Sequence, residues 1–127
     1  MNIKKNMVQV SNVKWLSKEA KEAEVYLSDV NFSLIVFSHP FNQNVGDSVK
    51  LPLYTLNAKG IYKLNNTENL LVNRKGKTFG YEISGTVLNK ELNQIQIGEF
   101  VIQLDVSLPN DITSGDYVSF VCDRIDL

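Results

Sequence analysis

Cysteine, histidine and long apolar runs are scarce in this sequence, and each shortage excludes a class of protein. Cys122 is the only cysteine among 127 residues, so no disulfide can form within the chain. His39 is the only histidine, and no metal-ligand spacing accompanies it, so we expect neither a metal site nor a cofactor. The longest apolar stretch, residues 32–37, has the length of a strand and cannot cross a bilayer, so we expect no membrane contact.

The start of the chain and its overall composition predict one cytoplasmic domain. Lys4 and Lys5 are followed by polar residues at the place where a signal peptide would be apolar. We therefore expect the chain to be cytoplasmic, where Cys122 would stay reduced. With 43% apolar and 21% charged residues, 127 residues are enough for the core of a single domain over 1–127.

An internal repeat divides the sequence. Residues 32–49 and 101–118 align without a gap at an offset of 69, and similar segments precede each copy. The pattern predicts two related halves, 13–56 and 84–127, joined by a packed connector over 57–77. Coincidence among strand-rich segments is the alternative. The identical pairs are Ser38 and Ser107, Pro40 and Pro109, Gly46 and Gly115, Asp47 and Asp116, and Val49 and Val118.

Apolar residues recur mostly with a period of two, which is typical of strands. Each half predicts a strand near Trp15 or Val87, a second at Val25 or Ile95, a third ending in Ser-x-Pro and a fourth after Gly-Asp. The fold expected is an all-β barrel or sandwich of roughly seven to nine strands built from two pseudo-symmetric halves. At most one short helical segment is expected, where residues 17–24 are rich in helix formers.

The turns at Val45-Gly46-Asp47 and Ser114-Gly115-Asp116 resemble the Gly-Asp turns of duplicated small β-barrels and of OB-type barrels. The resemblance covers a few residues in each half. It implies an architecture and transfers no activity.

Groups able to carry chemistry are few and scattered. We interpret Cys122 as a small buried thiol and His39 as a surface or half-buried residue, because their counterparts in the other half are Leu53 and Leu108. Asp105 interrupts an apolar strand, yet its alternation with Gln103 indicates a solvated face. An enzyme that combines scattered carboxylates, His39 and Cys122 is one alternative, and we assign no catalytic residue.

Charge is unevenly distributed along the chain. Residues 1–56 carry a net charge of +1, residues 57–77 carry +4, and residues 78–127 carry −6. The basic connector contains Tyr62, Arg74 and Lys75. An alternative function is therefore that of an OB-like protein that binds nucleic acid or another anionic ligand through this connector. The other interpretation is that the connector lies near the acidic second half and balances it.

We expect the chain to be a non-enzymatic binding or protein-interaction module. If its acidic second half binds a basic partner, the module would be of the inhibitor or immunity type. Both faces of residues 32–37 are apolar, so the connector or a second subunit must cover one of them, and a protein partner or homodimer is expected. The loops at 41–46 and 110–115 occupy equivalent positions and would present a ligand site. The candidate ligand-binding residues are His39, Phe41, Asn42, Tyr62, Arg74, Lys75 and Asp111.

Overall fold

The structure is a computed structural model that describes residues 8–65 and 71–127, and in these residues all regular structure is β-strand. The prediction of an all-β fold is confirmed. The strands are β1 (Gln9–Ser17), β2 (Glu22–Ser28), β3 (Ser33–Ser38), β4 (Leu53–Leu56), β5 (Lys59–Lys63), β6 (Val72–Arg74), β7 (Tyr81–Asn89), β8 (Gln94–Ile97), β9 (Phe100–Gln103), β10 (Tyr117–Cys122) and β11 (Arg124–Asp126).

The strands form one mixed sheet of eleven strands in the order β1-β2-β3-β11-β4-β9-β8-β7-β10-β5, with β6 paired to β7 beside this path. β1 and β5 lie at its two ends and are not paired with each other, so the sheet is open over the described residues. The predicted number of seven to nine strands was too low. The connector supplies both β5 and β6, and the final segment divides at Asp123, whose N–H donates to Leu56 O at 3.0 Å, into β10 and β11.

The centre of the sheet interlocks the two halves of the chain. β1-β2-β3 and β7-β8-β9 are antiparallel meanders, and β11 and β4 lie between them. β4, from the first half, runs parallel to β9, whereas β11, from the second half, runs parallel to β3. β4 and β11 pair with each other in antiparallel fashion. Each meander is therefore extended by a strand from the other half of the chain, β1-β2-β3 by β11 and β7-β8-β9 by β4.

Alternation along the strands places apolar side chains on one side of the sheet, where they form a single buried cluster. Ala23, Val25 and Leu27 of β2 are all buried, and the residues between them are only partly so. The Tyr81 hydroxyl accepts a hydrogen bond of 2.8 Å from the Ile35 N–H. This bond joins β7 to β3, which are not neighbours in the sheet order, so it links two distant strands of the sheet.

The two Gly-Asp turns have the same local geometry. Gly46 and Gly115 have φ values of +95° and +94°, a conformation that L side chains rarely adopt. In each turn the aspartate accepts from the backbone three residues earlier, and the glycine N–H donates to the first strand of its half. These bonds are Asn44 N to Asp47 Oδ2 at 2.9 Å, Thr113 N to Asp116 Oδ2 at 2.9 Å, Gly46 N to Val10 O at 2.7 Å, and Gly115 N to Val87 O at 2.8 Å.

The segments around these turns differ between the halves. Ser38 is the last residue of β3, as the Ser-x-Pro pattern predicts. The same prediction is wrong for the second half, because β9 ends at Gln103 and Ser107 lies in the following loop. After the turn, β10 follows at once in the second half, whereas in the first half Ser48 forms only an isolated bridge to Gln9 before β4 begins.

The helix-forming segment at 17–24 adopts a turn followed by β2. The Ser17 Oγ accepts from the Ala20 N–H at 3.1 Å, and Lys21 closes the turn with a φ of +58°. Burial of Ala23 and Val25 outweighs the local helix propensity. The described part of the connector holds the two strands β5 and β6. Residues 66–70, and residues 1–7 with Lys4 and Lys5, lie outside the described part. No helix long and apolar enough to cross a membrane occurs in the described ranges.

Candidate functional site

The outer side of the sheet carries a patch of large side chains where the two halves interlock. Residues that stand opposite each other on neighbouring strands share a face. Asp126 of β11 stands opposite Phe37 of β3 on one side and Tyr54 of β4 on the other, and Arg124 stands opposite Leu56. We call these five residues, Phe37, Tyr54, Leu56, Arg124 and Asp126, the outer-face patch.

Two residues of the patch are unusually exposed for their place in the sheet. β4 alternates, with Leu53 and Thr55 buried in the core and Tyr54 and Leu56 facing outward. Tyr54 is 51% exposed and Leu56 is 45% exposed, although β4 is a central strand with paired neighbours on both sides. Two large side chains therefore face outward next to each other along a central strand.

The charged residues of the patch neutralise each other and are held in place. The Arg124 guanidinium donates from Nε to Asp126 Oδ1 at 2.6 Å and from Nη2 to Asp126 Oδ2 at 3.0 Å. The same guanidinium lies 4.4 Å from the centre of the Phe37 ring, and Phe79 meets that ring edge-on at 6.0 Å. The second apolar face of β3 is thus contacted at Phe37 from within the chain.

A shallow depression of about 590 Å³ adjoins the patch and shares Tyr54 with it. Leu51, Pro52 and Leu127 supply apolar surface to its lining. Lys50 has the one charged side chain in this lining, and no carboxylate in residues 8–65 or 71–127 lies within ion-pair distance of it. The depression therefore offers an apolar surface beside an ammonium group.

The first group of sequence-predicted site residues follows β3. His39 is exposed and makes no hydrogen bond to the described residues. Phe41 is buried, with its ring centre 5.9 Å from that of Trp15, so it belongs to the packing rather than to the surface. Asn42 is exposed, and its Oδ1 accepts from the Lys21 Nζ at 3.0 Å.

The remaining predicted residues lie on other elements. Tyr62 is exposed on the edge strand β5, and Arg74 and Lys75 lie at the end of β6. Asp111 is exposed in the loop between β9 and β10. No hydrogen bond, ion pair or ring contact in the described part of the chain brings His39, Tyr62, Arg74 and Asp111 together into one site.

The basic connector is partly neutralised by the acidic second half. Lys59 Nζ lies 3.9 Å from Asp123 Oδ1, and Lys63 Nζ lies 3.5 Å from Asp116 Oδ2. Both are surface pairs, so their contribution to stability is small. Their importance is electrostatic, since they cancel two of the positive charges that an anionic ligand would use.

The groups considered for catalysis are not assembled into a reactive site. Burial raises the pKa of the Cys122 thiol to about 11, against weaker opposing hydrogen bonds from the backbone of Tyr81 and Arg124. The thiol is 2% exposed, so the prediction of a buried thiol is confirmed. No group of three or more histidine, cysteine or acidic residues able to hold a metal ion occurs in the described residues.

Sequence reasoning missed the outer-face patch. The signal was the sequence Leu53-Tyr54-Thr55-Leu56, in which alternation places a large apolar residue on both faces. The same reasoning noticed this property only in residues 32–37.

Comparison with protein-family models, with curated proteins and with solved structures found no match for this chain.

Proposed function

We propose that this chain is a non-enzymatic module that binds another protein through the outer-face patch. The observation that carries the proposal is the exposure of Tyr54 and Leu56 on a central strand beside the fixed guanidinium of Arg124. Tyrosine and arginine are enriched among the residues that dominate binding energy at protein interfaces. A neutralised, preorganised Arg124 also loses little side-chain freedom when a partner covers it.

The chemistry of the depression specifies part of this partner. Its lining has apolar surface from Leu51, Pro52 and Leu127 and one charged side chain, Lys50. A partner segment with an apolar side chain flanked by a carboxylate complements both features. The apolar side chain would fill the depression, and the carboxylate would pair with Lys50. This partner is locally acidic, in contrast to the basic partner expected from the second half alone.

The competing functions have less support. A nucleic-acid binder needs a clearly basic face, and Lys59 and Lys63 lie within ion-pair distance of carboxylates. An enzyme based on Cys122 needs an accessible thiolate, and the burial of this thiol opposes ionisation.

The proposal is tested by comparing two matched variants as baits in a lysate of the native cell. Leu56→Glu places a charge in the patch, whereas Leu92→Glu places one on a turn, at a residue that is 50% exposed and outside the patch. We expect one protein to be retained by the wild type and by Leu92→Glu, and to be lost from Leu56→Glu. The retained protein is then purified and its binding to all three chains is measured by calorimetry.

The expected result is a direct complex that Leu56→Glu weakens by about a hundredfold, or about 2.7 kcal/mol. Lys50→Glu is expected to weaken it by about tenfold. Equal retention by both leucine variants, or no specific retention, contradicts the proposal. Dimerisation of the wild type that Leu56→Glu abolishes also contradicts it, because a second copy would then occupy the patch.

We also propose that the chain arose by duplication of one unit and that its open sheet curls into a barrel-like form. The matched geometry of the turns at Gly46 and Gly115, and the exchange of β4 and β11, support this proposal. An experimental structure tests it: superposition of the two meanders together with their Gly-Asp turns is expected, and failure to superpose contradicts the duplication.

A further inference from the structure

A second site lies away from the outer-face patch, between the β2-β3 hairpin and β6. It is a cavity of about 290 Å³, at the lower end of the size range for ligand sites. Ile35 and Val72 supply the accessible apolar wall, and the buried core residues Leu27 and Leu34 lie beneath it. Polar groups reach the cavity from Tyr26, Ser33, Arg74 and Tyr81.

Arg74 is partly buried and lines this cavity, and most of its donors have no partner in the described residues. Its Nε donates to Thr78 O at 2.7 Å, and its Nη2 donates to Lys77 O at 3.2 Å. A guanidinium has five N–H groups, so three remain without a partner in the described residues. No carboxylate there forms an ion pair with Arg74. The guanidinium is therefore held by two backbone carbonyls and has no carboxylate within ion-pair distance in the described residues.

Tyr81 adds a second donor next to this charge. It stands opposite Arg74 in the pairing of β6 with β7 and is 3% exposed. Its hydroxyl oxygen accepts from the Ile35 N–H at 2.8 Å, while the hydroxyl proton has no acceptor in the described part of the chain. Burial raises the pKa of Tyr81, so the hydroxyl stays protonated and able to donate at neutral pH.

We propose that this cavity binds a small monocarboxylate with a branched aliphatic or aromatic body. The carboxylate would accept from the free N–H groups of Arg74 and from the Tyr81 hydroxyl, and the apolar body would lie against Ile35 and Val72. A planar guanidinium fits a carboxylate in a two-point contact. One cation can neutralise a single negative charge in an apolar cavity, whereas a doubly charged phosphate would remain under-neutralised there.

The test is an amide NMR titration of the whole chain with benzoate and 4-methylpentanoate as probes. Benzamide, a neutral analogue of benzoate, and inorganic phosphate serve as comparison ligands. We expect saturable shifts at residues 33–35, 72–74 and 81 with both carboxylates, and affinities weaker by about tenfold or more for benzamide and phosphate.

Three variants locate the binding. Arg74→Gln is expected to weaken benzoate binding by about tenfold, and Val72→Phe, which fills the cavity and keeps Arg74, is expected to abolish it. Lys18→Gln removes one positive charge from an exposed turn outside the cavity, and its affinity for benzoate is expected to equal that of the wild type. If Arg74→Gln does not fold, Val72→Phe alone decides. The proposal is overturned by an absence of saturable shifts, by equal binding of benzamide, by a preference for phosphate, or by unchanged binding in Val72→Phe.

Discussion

At the scale of single residues, Asp105 shows that an exposed carboxylate can have a structural role. It accepts from the Thr55 hydroxyl at 2.8 Å and from the backbone N–H groups of Asn57 and Ala58 at 2.8 and 2.9 Å. These bonds join the end of β4 to the segment after β9. The sequence predicts correctly that Asp105 is exposed, but it does not predict the hydrogen bonds that this carboxylate accepts.

The hydrogen bonds of Asp105 predict a pH-dependent contribution to stability. Desolvation acts to raise the pKa of this carboxyl, but the donors from Ala58, Thr55 and Asn57 outweigh it and lower the pKa. A folded pKa below the unfolded value stabilises the fold above the unfolded pKa of about 3.9, and this stability is lost as pH falls through the folded pKa. Asp105→Asn should lower the free energy of unfolding at about pH 7 by about 1 kcal/mol, a low figure because the group is exposed.

Urea unfolding of the wild type and of Asp105→Asn measures the free energy of unfolding of each at neutral pH and at about pH 3. The difference between the two free energies should be smaller at about pH 3. Asp111→Asn is the control, because Asp111 is exposed and no hydrogen bond to its side chain occurs in the described residues. A constant difference at both pH values, or an equal effect of Asp111→Asn, would argue against the role assigned to Asp105.

Cys122 should be unreactive in the folded chain. Burial raises its pKa to about 11, so the thiolate is scarce near neutral pH and the sulfur is inaccessible to reagents. We expect modification by a disulfide reagent to be limited by unfolding. Cys122→Ser should destabilise the chain by about 1–3 kcal/mol, because it places a hydroxyl in an apolar site. Rapid modification of the native protein that His39→Ala suppresses would restore the enzyme hypothesis.

At the scale of elements, the two Gly-Asp turns should respond alike to substitution. Both glycines have a φ near +95°, and nothing lies within 4 Å of an added Cβ, so the cost of alanine there is a backbone cost. We predict that Gly46→Ala and Gly115→Ala each lower the free energy of unfolding by about 1 kcal/mol.

Gly85→Ala should lower the free energy of unfolding by more than either turn variant, because the added Cβ would lie 2.5 Å from the backbone oxygen of Gln96. Chemical denaturation of the three variants measures these differences, with Val45→Ala as the control in the first turn. A larger cost at Gly46 than at Gly85 would be inconsistent with this account of backbone strain and close contact.

The sequence predicts the local elements better than their long-range pairing. The strands at Trp15, Val25, Val87 and Ile95 were predicted from alternation and are confirmed. The parallel pairs of β4 with β9 and β11 with β3 were not predicted, because they join segments far apart in sequence through very short strands. The outer-face patch depends on the pairing of β11 with both β3 and β4, so the alternation in residues 53–56 indicates only part of it and its full composition requires the topology.

At the scale of the whole molecule, the exchange of β4 and β11 makes the outer-face patch a feature of both halves together. Phe37, Tyr54 and Leu56 come from the first half, and Arg124 and Asp126 come from the second. Neither half alone has the complete patch. An isolated half would also lack a neighbouring strand at the centre of the sheet. This arrangement favours one cooperative unit.

The most direct test of the central claim is hydroxyl-radical footprinting of the chain, free and in complex with the protein retained from the native cell. Two pairs of residues have matched exposure: Tyr54 and Tyr62 are 51% and 54% exposed, and Leu56 and Leu92 are 45% and 50% exposed. The outer-face patch predicts that oxidation of Tyr54 and Leu56 falls on binding, while Tyr62 and Leu92 are oxidised as in the free chain. Protection of Tyr62 or Leu92 with Tyr54 and Leu56 unchanged would contradict the account.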